Sequence, residues 1–139
     1  VKNSTVGVEI ITDELLEKIS NPPIFMKEFV KILVEHWNSD QQKKYLRLVL
    51  IEQFRDIKGI KVSLKILIDE SINIWDLIFA QMLKFKFIKK NDSRVLAEEF
   101  VYPVFMIRLQ YLTTDNVDIE KVLKKCNSHI NYFWNSIKR

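Results

Sequence analysis

The side chains best suited to chemistry are few: His36, His129, the single cysteine Cys126, and some close acidic pairs. Cys126 and His129 stand three residues apart, a spacing that puts both on one face of a helix. There they could act as nucleophile and base or supply half of a zinc site. A cysteine on an apolar helical seam is more often a small core residue, and that is the stronger reading. Neither histidine belongs to an HExxH or ExxH motif, because the residues three before them are Leu33 and Cys126. Glu52 and Asp56 lie one turn apart beside Arg55, which reads as a solvated charge cluster. Asp69-Glu70 and Glu98-Glu99 are adjacent in sequence and do not face each other on a helix. With two glycines in the chain, no phosphate-cradling GxGxxG or GxxxxGK[ST] loop exists. The expectation is a protein without catalytic centre, metal or cofactor, and not an enzyme.

Charge gives little grip on nucleic acid. Lys plus Arg is 22 against 18 Asp plus Glu, a formal net charge of +4. The densest basic run, Lys84, Lys86, Lys89 and Lys90, reads as a solvated helix end, where cations suit the C-terminal dipole. One cysteine cannot form an internal disulfide, and the longest apolar runs are four residues, such as Leu48 to Ile51. A reducing, cytoplasmic setting is expected, with no membrane contact. The start at Val1 reads as a fragment of a longer chain.

The elements that position these residues are helical. The 139 residues allow one domain. An apolar share of 47% supplies a core, while two glycines and three prolines are too few for the turns of a β-sandwich. A short helix is expected at about 13–19, stopped by Asn21-Pro22-Pro23. The next spans about 24–37, with Phe25, Phe29, Leu33 and Trp37 at steps of four. Ser39, with Gln42 three residues on, opens a third that runs toward Gly59. Its apolar residues surround it between Leu46 and Ile51, which predicts a central helix. A long helix fills about 62–87. Asn91-Asp92 caps another at about 93–112, kinked at Pro103, and the last covers about 117–137. The fold class is all-α: a bundle of five to six helices.

The last two helices are apolar beyond what one contact needs. Ile119, Leu123, Cys126, Ile130, Phe133 and Ile137 keep a heptad spacing. Leu96, Phe100, Val104, Ile107 and Tyr111 form one stripe of the preceding helix, and Val101, Phe105, Leu109 and Leu112 a second. A second copy of the chain is the expected cover. The interface residues are then Val101, Val104, Phe105, Leu109, Leu112, Ile130, Phe133, Trp134 and Ile137, in a dimeric four-helix bundle.

The run Asn91-Asp92-Ser93-Arg94-Val95-Leu96-Ala97-Glu98-Glu99-Phe100, then Tyr102-Pro103-Val104-Phe105, resembles the penultimate helix of TetR-like transcriptional regulators. The ending His129-Ile130-x-x-Phe133-Trp134 is similar to that family's final helix. The likeness covers about residues 20–139 and rests on the order and spacing of degenerate motifs. It implies a C-terminal regulatory domain that dimerises and binds a small apolar or amphipathic ligand. DNA would be bound only through an N-terminal helix-turn-helix domain, of which residues 1–60 show no pattern. The apolar faces of three helices would converge on the ligand through Phe29, Leu33, Trp37, Leu50, Phe54, Trp75, Phe79 and Met82. His36, Gln53, Gln81 and Tyr45 are the candidate polar contacts. The alternative is a helical protein-interaction module with no small-molecule ligand. A cavity of several hundred Å3 would mark the sensor, and a solid core the interaction module.

Overall fold

The computed structural model describes residue 13 and residues 17–54 and 63–139. They form an all-α bundle: a 3-10 turn at Lys18–Ser20, then α1 (Pro22–Trp37), α2 (Asp40–Glu52), α3 (Leu64–Lys84), α4 (Ser93–Tyr111) and α5 (Ile119–Ile137). The expected helix at 13–19 and the stop at Gly59 lie mostly or wholly outside the described residues, as do Arg55 and Asp56. Among the described residues, no helix is long and apolar enough to cross a membrane.

Local chemistry sets the helix starts. The Ser39 hydroxyl accepts from the Gln42 amide at 3.2 Å, and the Ser63 hydroxyl from the Ile66 amide at 3.0 Å. The Asp92 carboxylate accepts from Arg94 at 2.8 Å and Val95 at 3.2 Å, and Asp118 from Lys121 at 3.4 Å. Each satisfies amides that the first turn leaves without an internal partner. The preceding turn ends at Asn21, as expected, and Pro22 and Pro23 also start the next helix. They occupy the first two positions of α1, where a missing N–H costs nothing. Pro103 lies within a single continuous α4, its ring on the exposed side.

Helix α3 packs most extensively on α4, α5 on α1, and α4 also on α5. Phe25, Phe29, Phe79, Phe100, Met82 and Ile130 are all fully buried. Trp75 links the rings of α1 and α4, with centroids 5.3 Å from Phe29 and 4.3 Å from Phe100. Phe133 brings in α5, 5.5 Å from Phe79 and 5.3 Å from Phe100.

Two expectations are corrected here. Helix α2 is peripheral, not central. It buries Leu46 and Val49 but leaves Leu48 47% and Ile51 64% exposed. Beside these two apolar anchors its contacts are polar: Lys43 Nζ donates to the Thr114 carbonyl at 2.8 Å, and Arg47 to the Thr113 carbonyl at 2.8 and 3.0 Å. Two cations thus dock on the turn that follows α4, and hydrogen bonding supplements the limited apolar cover. The second correction concerns the stripes of α4 and α5. Val101, Val104, Phe105, Leu112, Ile130, Phe133 and Ile137 are all buried within one chain, with Leu109 and Trp134 half-buried. Helices α1 and α3 cover them, so no second copy is needed for that purpose. The outer side of α4 instead shows Tyr102 and Met106, and α5 shows Tyr132.

Candidate functional site

At one end of the bundle the helices diverge. The C-terminal part of α1, the first turn of α2, the N-terminal half of α3 and the C-terminal half of α4 surround a cavity of about 60 Å3 that opens to solvent. Its apolar wall is Phe29, Leu33 and Trp37 from α1, Leu67, Ile74 and Trp75 from α3, and Val101, Val104 and Phe105 from α4. Its polar groups are His36, Gln42, Glu70, Ser71 and Arg108.

Arg108 dominates the electrostatics. The residue is only 3% exposed, and its Nε has no hydrogen-bond partner. Among the described residues it forms no ion pair. Its guanidinium carbon sits 4.8 Å from the centre of the Trp37 ring, a cation–π contact. Burial pulls its pKa down to about 10, so it remains a cation at neutral pH. The Tyr45 phenol lies in the field of both Glu70 and Arg108. Burial raises its pKa first, Glu70 adds to that, and Arg108 opposes it. The His36 pKa is lowered, first by burial and then by the Arg108 charge. His36 Nε2 is likewise buried without a hydrogen-bond partner. The site therefore holds a fixed buried cation, a neutral imidazole, and one partly solvated carboxylate at Glu70.

Of the eight positions expected to contact a ligand, Phe29, Leu33, Trp37 and Trp75 line the cavity. The other four do not, and the reason differs. Phe54, at the end of α2, is 94% exposed. Leu50 is half-buried away from the cavity, because α2 turns only Gln42 toward it. Phe79 and Met82 are fully buried one and two turns further along α3, inside the packed core. Of the polar candidates, His36 is in the lining and Tyr45 is electrically close. Gln53 instead accepts from the Leu64 amide at 2.8 Å, at the start of α3, and Gln81 is exposed. Val101, Val104 and Phe105, expected at a dimer interface, are wall residues.

Arg108 was the residue most worth finding. Its signal is register: it continues the buried series Ala97, Val101, Val104, so a lone cation stands where an apolar residue belongs.

The Cys126–His129 face takes no part in this cavity. Burial pushes the Cys126 thiol up to about 11, the opposite of an activated nucleophile. His129 Nε2 lies 3.0 Å from the Phe100 carbonyl oxygen, which can only accept, so that nitrogen carries the proton. The imidazole stacks on the Phe100 ring at 5.2 Å and belongs to the core. Among the described residues, no cluster of His, Cys, Asp and Glu could hold a metal ion. No family model, curated protein or solved structure matches the chain.

Proposed function

We propose that the chain is an effector-sensing and dimerisation domain of the TetR-like kind. In this reading a small apolar or amphipathic molecule binds in the cavity and controls DNA binding by a helix-turn-helix domain of a longer parent chain. The observation that supports it is a solvent-open cavity walled by aromatic and aliphatic side chains from three helices, with a few polar groups among them. Its volume of about 60 Å3 falls short of the several hundred Å3 expected of a sensor and limits an enclosed ligand to a few heavy atoms, so the support lies in the chemistry of the wall and not in its size. Sensing would work by population shift: a ligand that prefers one spacing of α1, α3 and α4 favours that arrangement, whereas equal affinity for both shifts nothing. The dimer is proposed through the outer faces of α4 and α5, where Tyr102, Met106 and Tyr132 are exposed.

Trp37 and Trp75 are in the cavity wall, so binding should change tryptophan fluorescence and raise the melting temperature by mass action. Trp75→Leu should remove part of that signal. A panel of small apolar and amphipathic compounds that leaves both readouts flat would end the sensor reading. Sedimentation of a monomer at tens of micromolar would end the dimer reading.

A second reading has its own observation. Leu48 and Ile51 on α2 and Phe54 in the turn just after it have 47%, 64% and 94% of their surfaces exposed. An apolar helix face of this kind suits a partner protein. Leu48→Lys together with Ile51→Lys should abolish such an interaction and leave ligand responses unchanged.

A further inference from the structure

The cavity wall is apolar except where Arg108 enters it, and that exception selects a ligand. A guanidinium carries five N–H donors in a planar fork that fits a carboxylate. Here the residue is only 3% exposed, yet it has no carboxylate partner among the described residues. Nε is sealed off without an acceptor. The Trp37 ring gives the charge a favourable face but accepts no N–H bond in the guanidinium plane. Leaving a buried cation without an acceptor costs far more than leaving an apolar side chain in the same place. A buried cation in a cavity wall, with no ion-pair partner among the described residues, is therefore a statement about what the cavity receives.

We infer that the cavity binds a small monocarboxylic acid, its carboxylate on the Arg108 guanidinium and its short apolar body against Trp37, Leu33 and Trp75. This deepens the ligand-sensing reading and rests on it. One cation with a neutral His36 beside it matches a single negative charge rather than a dianion. Glu70 is the opposing charge in the wall, but it is half-buried and stays in contact with water, so it is screened more than Arg108. The cavity of about 60 Å3 favours an acid of a few carbons, whose tail can extend toward the open mouth.

The test uses the whole chain and three probes of one shape: butyrate, its neutral counterpart butyramide, and the cationic butylamine. Binding is read by tryptophan fluorescence and by calorimetry. Butyrate should bind at least about tenfold more tightly than butyramide, the gain of a charge-assisted pair over a neutral hydrogen bond. Arg108→Met should erase that preference while keeping the affinity for butyramide. Glu70→Gln, which removes the like charge without touching the Arg108 fork, should tighten butyrate binding several-fold. Equal affinity for butyrate and butyramide in the wild-type chain would overturn the carboxylate assignment and leave the sensing of neutral ligands standing. Preference for butylamine would overturn it in favour of Glu70 as the recognising group. Silence with all three, and with longer neutral alcohols, would remove both this inference and the sensor reading beneath it.

Discussion

The two ends of the bundle share α3 and α4 and solve opposite problems. At one end, α3 and α4 are joined by a short connection whose Ile88 is buried and whose Lys89 amide donates at 2.8 Å to the Ile137 carbonyl, at the close of α5. Phe79, Phe100 and Phe133 fill the space between, with ring centroids 5.3–5.8 Å apart. At the other end, Arg108 takes a position on the same face of α4 as the buried Val101 and Val104, and the helices stand around a cavity. The packed end gains from close apolar contact. The open end gives up contact and carries a cation with no ion pair among the described residues. The lesson is that stability and function are divided along the helix axes, and substitutions should behave differently at each end.

The largest effect is expected at the packed end. Phe100 is fully buried and touches rings from α3 and α5, so Phe100→Ala should destabilise the fold by about 3–5 kcal/mol. Urea titration measures this directly. A loss under about 1 kcal/mol would mean that the core relaxes around the deletion and that the contrast between the ends is false.

Arg108→Met should have the opposite sign. It removes a buried charge whose Nε has no hydrogen-bond partner and which forms no ion pair among the described residues, and fills similar volume with an apolar chain. Stability should rise by about 1–3 kcal/mol, the usual cost of an unsatisfied buried polar group. Destabilisation of that size would instead show that the cation–π contact with Trp37 outweighs the missing acceptors. Such a gain in stability at the expense of binding is expected where a fold has retained strain for function.

Acidification should act more gently and on both ends. Burial lowers the pKa of His36 at the open end and of His129 at the packed end, with the Phe100 carbonyl partly opposing the second. Above the unfolded value of about 6.5, both states are neutral and pH has no effect through these groups. Below it the unfolded chain binds protons that the folded chain resists, so stability falls as pH drops toward the folded pKa values. Chemical unfolding at pH 7.5 and 5.5 should show the loss. Arg108→Met should lessen it by removing the charge that depresses His36, while the His129 share remains. A chain more stable at pH 5.5 would contradict the direction of both shifts.

How legible each end was in the sequence follows from the same physics. The helices were readable because their signals are local: Ser39, Asp92 and Asp118 cap through their own side chains, and the apolar spacing has a period of its own. The packed end was half-readable. Phe79 and Met82 are apolar on a core stripe, but stripe geometry alone cannot say whether such residues meet a cavity or each other. The α4 and α5 stripes looked too wide for one chain because the cover offered by α1 and α3 depends on how these helices cross. The place of α2 was missed because only Leu46 and Val49 of its apolar residues are buried, and two cations complete its docking on Thr113 and Thr114. The open end was legible in its apolar wall, where Phe29, Leu33, Trp37 and Trp75 stand as stripe positions with His36 beside them, and was missed at Arg108, a charge in an apolar register.

The smallest predicted effect isolates the packed end. Helix α3 closes with Phe85, and Lys86 follows in the left-handed region at φ 61°. The Lys86 amide donates to the Leu83 carbonyl at 3.1 Å and the Phe87 amide to the Met82 carbonyl at 2.9 Å, the paired bonds of a Schellman ending. Glycine is the residue usually found at that left-handed position, because an L-residue there brings its Cβ against the backbone at a cost of about 1–2 kcal/mol. Part of the gain from glycine is returned as extra freedom in the unfolded chain. Lys86→Gly should therefore stabilise by about 0.5–1 kcal/mol, read as a rise of a few degrees in melting temperature. Lys86→Ala, which keeps the Cβ, should not. Since the site lies at the far end from Arg108, the ligand response should be identical in Lys86→Gly and the wild-type chain. A changed ligand affinity in that variant would show that the two ends are coupled and that their division of labour is not real. Equal stabilisation by glycine and alanine would place the effect in the removed lysine charge, beside Lys84, Lys89 and Lys90, rather than in the backbone.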